Sequence, residues 1–287
     1  MIISHIIGGL GNQMFQYAMG YAHAARIKAV YKINNSAFTT YPLHHYALND
    51  LSITAPIATE AESTSIRGTL RTSLVRRIIG KKPTFNKNYI RERAYTYDAS
   101  YRSMSGDLYF EGYWQSEKYF LDAASSIRTE FTVRHEPNSQ NATTLQSIAA
   151  CESVAVHVRR GDYVQNKKTL AFHGVLPVDY YQRAVREIQK YIQHPTYYIF
   201  SDDPVWVRAN LRFVAPTVYV NHNGPKKDYE DLRLMASCKH HIIANSTFSW
   251  WGAWLAEHPG QKVIAPIQWF ASNQDTHDLI PDRWMRT

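Results

Sequence analysis

The sequence has few cysteines and no long apolar run, and both absences restrict the class of protein. Its two cysteines, Cys151 and Cys238, lie outside any CxxC or Cys/His spacing, which argues against a disulfide framework and against structural zinc. No run reaches about 18 apolar residues, the length that spans a bilayer. The first residues, Met1 to Ile7, lack a basic region and are not typical of a signal peptide or a membrane anchor. We therefore expect a chain that works in the reducing cytoplasm.

The excess of basic residues favours an acidic partner, but it does not identify the kind of partner. The 287 residues carry a formal net charge of +8, and 45% of them are hydrophobic, which is enough for a globular core. Nucleic acid, anionic lipid and a phosphorylated metabolite would each suit this charge. Basic residues concentrate between Arg67 and Arg93, where interleaved Ile and Leu allow two interpretations: an amphipathic helix on a membrane surface, or a solvated face.

The heptapeptide His157 to Tyr163 (HVRRGDY) is the most informative stretch of the chain. It follows an apolar alternation that predicts a buried strand opening into a loop. Ligands of open α/β sheets bind at this carboxyl end, and a guanidinium fork matches the oxygens of a phosphate. Side chains alternate along an extended backbone, so Arg159 shares a face with His157 and is the expected ligand contact, whereas Arg160 braces the loop. A solvated strand end, with Asp162 in a salt bridge, is the alternative.

From residue 150 onward, predicted strands alternate with predicted helices at the spacing of a doubly wound parallel sheet. Three of the strands end at polar loops that begin near Arg159, Asp202 and Asn245. These loops should therefore lie along one edge of the sheet. The predicted strands are 153–158, 197–201, 217–220, 241–244 and 262–265, and the predicted helices are 178–192, a helix after Asp203, 228–237 and 249–257.

The polar residues at that edge admit more than one role. Asp202 and Asp203 could chelate a divalent metal. We favour Asp203 as a helix cap and Asp202 as an acceptor for a ribose or for one of the two arginines, because the arginines already supply positive charge. Ser246 and Thr247 could cap the helix that follows them or hold a phosphate. The tryptophans at helical spacing are expected in the core; they are Trp250, Trp251 and Trp254.

A glycine-rich turn follows the first predicted strand. It lacks the third glycine of a dinucleotide fingerprint, and no acidic residue ends the second strand, so we reject NAD binding. Gly9 and Gly11 let the backbone approach a ligand, while Asn12 and Gln13 place amides at a helix N-terminus, which suits an anion or a sugar. The alternative is a turn that only lets strand and helix pack. The predicted strands are 2–7 and 29–33, the turn is 8–13 and the helix is 14–27.

Residues 35–150 are less periodic. The segment Asp107 to Gln115 predicts a strand with an aromatic end, where four side chains could face a cleft: Glu111, Tyr113, Trp114 and Gln115. Aromatic rings beside polar groups suit a sugar, and they suit a hydrophobic core equally well.

Four motifs together resemble the inverting α1,2-fucosyltransferases of glycosyltransferase family 11. They are GGLGNQMFQYA at 8–18, HVRRGDY at 157–163, FSDDPVW at 200–206 and YEDLRLMASCKHHIIANSTFSWWGAWL at 229–255. The resemblance implies an α/β fold of GT-B type, with two Rossmann-like halves and mostly parallel sheets. Residues 1–150 would form the acceptor side and residues 151–287 would bind GDP-fucose. The activity implied is metal-independent transfer of L-fucose from GDP-β-L-fucose to the 2-hydroxyl of a terminal β-galactoside, in an O-antigen or an oligosaccharide.

The same resemblance assigns roles to individual residues. Arg159 would hold the β-phosphate and neutralise the leaving GDP, and Asn12 would approach the fucose and the acceptor. His157 and Asp231 would meet the guanine and its ribose. The remaining substrate-binding candidates lie in the glycine-rich turn and at the carboxyl edge of the second sheet: Gly9, Gly11, Gln13, Arg160, Asp202, Asn245, Ser246, Thr247 and Phe248.

The sequence does not identify the general base. Related α1,6-fucosyltransferases place a Glu after the arginine motif, but here that neighbourhood reads Gln165-Asn166-Lys167. Asp162 is the candidate base, and a largely dissociative reaction without a strong base is the alternative.

Other functions remain open beside this one. The chain could be another GT-B nucleotide-sugar transferase, a relative of the protein O-fucosyltransferases, or a non-catalytic module that binds a nucleotide or a glycan. The expected partners are GDP-fucose and a galactose-terminated oligosaccharide, with a lipid-linked form and peripheral contact at the inner face of the plasma membrane inferred from the family and the basic stretch. No nucleic-acid partner is expected.

Overall fold

The computed structural model describes residues 1–41, 43–68, 85–224 and 226–287, without the side chains at positions 162 and 165. These residues form two compact units. The N-terminal unit comprises Met1–Thr132 and His277–Leu279, and the C-terminal unit comprises Val133–Thr276 and Ile280–Thr287.

The elements of the N-terminal unit are β1 (Ile2–His5), α1 (Leu10–Ile27), β2 (Tyr31–Asn34), α2 (Glu60–Arg67), β3 (Tyr89–Arg91), β4 (Leu108–Glu111) and α3 (Ala124–Glu130). These strands form a parallel sheet in the order β2-β1-β4-β3. The apolar run at Ile2 and Ile3 lies in β1, an inner strand, and is fully buried. Lys28, directly after α1, adopts a left-handed conformation, and α2 begins with a capping box between Thr59 and Glu62.

The elements of the C-terminal unit are α4 (Ser139–Ala149), β5 (Glu152–Val158), α5 (Gly161–Gln165), α6 (Lys167–His173), α7 (Val178–Ile188), β6 (Pro195–Ser201), α8 (Pro204–Asn210), β7 (Thr217–Val220), α9 (Asp228–Ser237), β8 (His240–Ile242), α10 (Thr247–Leu255), β9 (Val263–Ala265) and β10 (Met285–Arg286). Its strands form a second parallel sheet, in the order β10-β9-β8-β5-β6-β7.

Helices cover both faces of this second sheet. Val154 and Val156 of β5 belong to one buried cluster, together with Tyr180 and Ala184 of α7. Ala155, which points to the other face, packs in a second cluster with residues of α4, β6, β7 and α9 and with Cys238. The near-continuous apolar character of β5 follows from burial on both faces. The predicted parallel α/β sheet is confirmed, and the three predicted core tryptophans of α10 are each at most 1% exposed.

The start of the first helix and the division into two halves differ from the sequence expectations. Helix α1 begins at Leu10 and not at Met14, because the amide N–H groups of Asn12 and Gln13 both donate to the carbonyl oxygen of Gly9 and close the first turn early. Residues 133–150, which were expected in the first half, belong to the C-terminal unit, where α4 packs against α9. His277–Leu279, which were expected in the second half, belong to the N-terminal unit.

The basic stretch between residues 67 and 93 lies mainly outside the described residues, at positions 69–84. At its start, Arg67 is buried and its guanidinium lies 5.2 Å from the ring centre of Tyr109. In the described part of the chain, no helix has the length and apolar character needed to cross a membrane.

The contact between α1 and the first sheet depends on Gly20. A Cβ atom at this position would lie 2.6 Å from the Tyr31 ring and would overlap the Ser4 hydroxyl. We predict that Gly20→Ala lowers the free energy of unfolding by about 1–3 kcal/mol through overpacking, despite the higher helix propensity of alanine. Urea unfolding measures this change. Gly224→Ala is the control, because among the described residues no atom beyond its chain neighbours lies within 4 Å of a Cβ there. Equal midpoints for the Gly20 variant and the parent would contradict the prediction.

Candidate functional site

Three polar loops leave the second sheet side by side. Strand β5 lies between β8 and β6, so the loops that begin at Arg159, Asp202 and Ile243 follow the carboxyl ends of three adjacent parallel strands. The predicted common edge is confirmed. We call it the C-terminal edge.

Arg159 is held in place by Asp202. Its Nη1 lies 3.1 Å from Asp202 Oδ2, and the other carboxylate oxygen accepts a hydrogen bond of 2.8 Å from the backbone N–H of Arg160. Gly161 makes this arrangement fit, since a Cβ atom there would lie only 2.7 Å from Asp202 Oδ2. The expected pairing of Asp202 with an arginine is confirmed, and the side chain of Arg159 remains about one quarter exposed.

Arg160 braces the loop, as predicted. Its Nε lies 3.2 Å from Asp203 Oδ2, and its guanidinium stacks 3.8 Å from the ring centre of Trp206. Asp203 also caps α8, because its Oδ1 accepts a hydrogen bond of 3.0 Å from the N–H of Trp206. Cation–π stacking and an ion pair together restrain a side chain that would otherwise be mobile.

Tyr163 connects the loop after β5 with the loop after β8. Its ring lies 5.4 Å from the guanidinium carbon of Arg159, and its hydroxyl donates to the carbonyl oxygen of Asn245 at 3.4 Å. Asn245 is 2% exposed, and its Nδ2 donates to the carbonyl oxygens of His173 and Trp269. The side chain of Asn245 therefore holds neighbouring segments of the backbone together. Its contact with a ligand stays a prediction.

Ser246 directly precedes helix α10, so its hydroxyl lies where a side chain could cap the helix. The Ser246 side chain makes no capping hydrogen bond, although the residue is only 7% exposed. Of the two roles left open for Ser246, helix capping is therefore not used, and phosphate binding together with Thr247 remains a prediction.

His157 lies beneath this edge as a neutral group. Its ring is buried 5.8 Å from the ring of Phe248, and its Nδ1 has no hydrogen-bond partner among the described residues. Burial, reinforced by the charge of Arg159, lowers the pKa of His157 to about 3. The imidazole is therefore uncharged at neutral pH and can take part in hydrogen bonds, but it adds no positive charge to the edge.

Asp231 belongs to a polar network that the sequence did not reveal. Its Oδ1 accepts a hydrogen bond of 2.8 Å from Asn223 Nδ2, and Asn223 Oδ1 in turn accepts one of 3.0 Å from Asn141, which is fully buried. His222 Nε2 lies 2.6 Å from Asn141 Oδ1. Burial raises the pKa of Asp231 to about 7, although the bond from Asn223 opposes this shift. A carboxyl group placed this way costs stability when it is ionised.

The two amide side chains of the glycine-rich turn, Asn12 and Gln13, both make hydrogen bonds within the N-terminal unit. Gln13 is fully buried, and its amide donates to the carbonyl oxygens of Gly8 and His45 and accepts the N–H of Ala47. Asn12 Oδ1 accepts a hydrogen bond of 3.0 Å from Gln115. Gln13 therefore fixes the following loop, and ligand contacts by Asn12, Gly9 and Gly11 stay predictions.

The base role of Asp162 and the absence of a metal stay predictions. The side chain of Asp162, the candidate base, lies outside the described residues. Within the described ranges, no group of three or more His, Cys, Asp or Glu side chains is arranged to hold a metal ion; a metal-independent reaction remains a prediction.

The family model described as glycosyl transferase family 11 matches residues 2–285. An alpha-1,2-colitosyltransferase of Escherichia coli is 34% identical over all of this chain and 98% of its own length. The O-antigen biosynthesis glycosyltransferase WbnK of Escherichia coli is 32% identical over 98% of this chain and 99% of its own length. Galactoside 2-alpha-L-fucosyltransferase SEC1 of Bos taurus is 29% identical over 87% of this chain and 62% of its own length.

Among solved structures, the NodZ alpha-1,6-fucosyltransferase soaked with GDP-fucose is similar in fold. The match has a TM-score of 0.50 and 13% identity, and it covers 88% of this chain and 91% of that chain. Together with the two parallel sheets, this likeness confirms the predicted α/β fold of GT-B type.

The titration of Asp231 predicts a pH effect on stability. An unfolded Asp has a pKa near 3.9, so between about pH 4 and pH 7 the folded chain binds more protons at Asp231 than the unfolded chain does. The contribution of this group to stability is present below pH 4 and is lost as pH rises to about 7. We predict that Asp231→Asn gains thermal stability relative to the parent between pH 5 and pH 8. Melting curves without ligand measure this, and a difference in Tm that is constant with pH would contradict it.

Proposed function

The chain belongs to glycosyl transferase family 11, and on this premise we propose that it transfers L-fucose from GDP-β-L-fucose to the 2-hydroxyl of a terminal β-galactoside, with inversion at the anomeric carbon and without a metal ion. Membership of the family makes it a glycosyltransferase. The donor, the acceptor and the linkage are the proposed part. We propose the cytoplasm as its place of action, with an O-antigen or oligosaccharide acceptor that is either free or lipid-linked.

The observation that carries this proposal is the fixed guanidinium of Arg159. As the bond between the sugar carbon and the phosphate oxygen breaks, negative charge grows on the leaving GDP and positive charge grows on the sugar. A cation near the β-phosphate therefore stabilises the transition state more than the ground state. Asp202 holds Arg159 at the carboxyl end of β5, where open α/β sheets bind their ligands. A guanidinium that is already oriented needs little reorganisation during the reaction.

The other residues of the C-terminal edge would bind the nucleotide. The N-terminus of α10, which Ser246 leaves without a side-chain cap, suits a diphosphate oxygen. His157, as a neutral imidazole, and Asp231, as a partly buried carboxyl group, suit hydrogen bonds to the guanine or its ribose. A ligand that forms hydrogen bonds with both side chains would explain why Nδ1 of His157 has no partner among the described residues. It would also explain why the chain keeps Asp231 although its ionisation lowers the stability of the fold.

A second donor deserves the same test, because one specific similarity favours it. The alpha-1,2-colitosyltransferase is 34% identical over the whole of this chain. Colitose is L-fucose without the hydroxyl group at C3, so the two donors differ by a single hydrogen-bonding group. A site that binds this hydroxyl rejects the deoxy sugar strongly, whereas a site that leaves it in solvent does not.

We predict a large loss of turnover for Arg159→Ala. With GDP-fucose and a β-galactoside as substrates, kcat should fall by about 100- to 1,000-fold, which corresponds to about 3 kcal/mol of lost charge stabilisation. Arg159→Lys should lie between this variant and the parent, since it keeps the charge but loses the fork. The control is Arg183→Ala, which removes an exposed arginine paired with Asp179 on α7. Parent-like turnover by Arg159→Ala would contradict the role of this residue.

Donor choice can be tested directly on the parent protein. We predict that GDP-fucose is used with a higher kcat/KM than GDP-colitose, and that EDTA leaves the rate unchanged. Product linkage and anomeric configuration are read by NMR of the purified oligosaccharide. A preference for GDP-colitose would assign the chain to colitosyl transfer, and a loss of rate in EDTA that added metal restores would overturn the metal-independent mechanism.

A further inference from the structure

The N-terminal unit has a cleft of its own at the carboxyl ends of β1, β3 and β4. Its volume is about 360 Å³, which is within the range of small-ligand sites. Polar and aromatic residues dominate the lining: His5 follows from β1, the segment Arg91 to Tyr95 from β3, and Glu111 to Tyr113 from β4. The roles assigned to the C-terminal edge do not use this cleft.

Glu92 is fixed in the cleft by two backbone groups. Its Oε2 accepts a hydrogen bond of 2.6 Å from the N–H of Tyr113, and its Oε1 accepts one of 2.9 Å from the N–H of Trp114. Each carboxylate oxygen keeps a second lone pair, so the group can still accept hydrogen bonds from a ligand. Burial raises the pKa of Glu92 to about 7 despite these two bonds, because the group is partly removed from water.

The turn that supports Glu92 requires a glycine and holds a tryptophan in a strained backbone conformation. Gly112 is required because a Cβ atom there would meet the side chain of Glu92, with Oε2 at 2.8 Å. Trp114 adopts a left-handed backbone conformation with φ of 55°, which is strained for a bulky residue. Its buried ring makes edge contacts with Phe110, Tyr101 and Tyr119 that stabilise this conformation. Strain maintained in this way is concentrated at functional sites.

The chemistry of the lining fits a neutral, hydroxyl-rich ligand. Arg91 and Arg93 balance the charges of Glu92 and Glu111, and Arg91 Nε lies 3.8 Å from Glu111 Oε1. A phosphate would have two carboxyl groups beside it in this cleft, whereas a sugar uses donors and acceptors together. The half-exposed ring of Tyr113 offers a face on which the C–H groups of a sugar ring can pack.

We infer that this cleft binds a sugar ring of the glycan acceptor, with Glu92 accepting hydrogen bonds from its hydroxyl groups and Tyr113 packing against its face. The inference rests on the proposed function, because it takes transfer to a glycan as given. It adds the place and the residues through which the chain recognises that acceptor.

Two variants test this inference through kinetics. At saturating GDP-fucose, Glu92→Gln and Tyr113→Ala should each raise the KM for N-acetyllactosamine about tenfold, the factor expected for one lost interaction of about 1.4 kcal/mol. The KM for GDP-fucose and the slow hydrolysis of GDP-fucose without acceptor should stay within about twofold of the parent values. Tyr191→Ala, which removes a half-exposed tyrosine of the C-terminal unit, is the matched control.

A binding measurement separates this inference from the proposed function. Saturation-transfer NMR with methyl β-galactoside, in the absence of any donor, should show contact with the parent and a loss of contact in Tyr113→Ala, whose exposed ring can be removed without opening the core. If the parent binds the galactoside but turns over no GDP-fucose, the proposed donor is wrong and the cleft assignment stands.

Three outcomes would overturn the assignment. The first is an unchanged acceptor KM in both variants of an active enzyme. The second is a parallel rise of the KM for donor and acceptor, or a large fall in Tm in both variants, which would show a structural role. The third is displacement of the galactoside signal by inorganic phosphate alone, which would show an anion site.

Discussion

The geometry of the C-terminal edge depends on two carboxylates that hold two arginines across neighbouring strands. β5 and β6 are paired from Glu152 and Pro195 to Val158 and Ser201, so the residues that follow them leave the sheet together. The carboxylates of Asp202 and Asp203 then meet the guanidinium groups of the opposite loop in order. Each pair reduces the conformational freedom that a long side chain would otherwise lose on binding a ligand, which favours both binding and charge stabilisation.

In the N-terminal unit, the side chains of Gln13 and Glu92 are held by backbone groups. The Gln13 side chain donates to the carbonyl oxygens of Gly8 and His45 and accepts a hydrogen bond from the N–H of Ala47. Both carboxylate oxygens of Glu92 accept hydrogen bonds from backbone N–H groups. The cleft has two arginines beside two carboxyl groups in its lining, Arg91 and Arg93 with Glu92 and Glu111. The C-terminal edge instead combines two arginine–aspartate pairs with the N-terminus of α10, which adds a partial positive charge. This difference suits a neutral ligand in one unit and an anionic ligand in the other.

Several site features were accessible from local sequence. Asp203 before Pro204 predicted a cap, and the structure has that cap; the arginine pair predicted one ligand-facing and one bracing side chain, and Arg160 does brace the loop on Trp206. Contacts between distant segments were not accessible. No pattern links Asn141 with Asn223, which lie 82 residues apart, or the hydroxyl of Tyr163 with the carbonyl oxygen of Asn245. Residue order carries local preference, but such pairs form only when the sheet brings separate loops together.

The sequence by itself determined the parallel α/β class, the polar loops at the strand ends and the family, because hydrophobic periodicity and short motifs are local properties. Tertiary structure decided what each polar group can do. Burial makes His157 neutral and raises the pKa of Asp231, and the narrow space above Gly161 admits Asp202 beside Arg159. Burial and ion pairing are set by neighbours remote in the chain, and the dielectric surroundings of a group do not exist until those neighbours are packed.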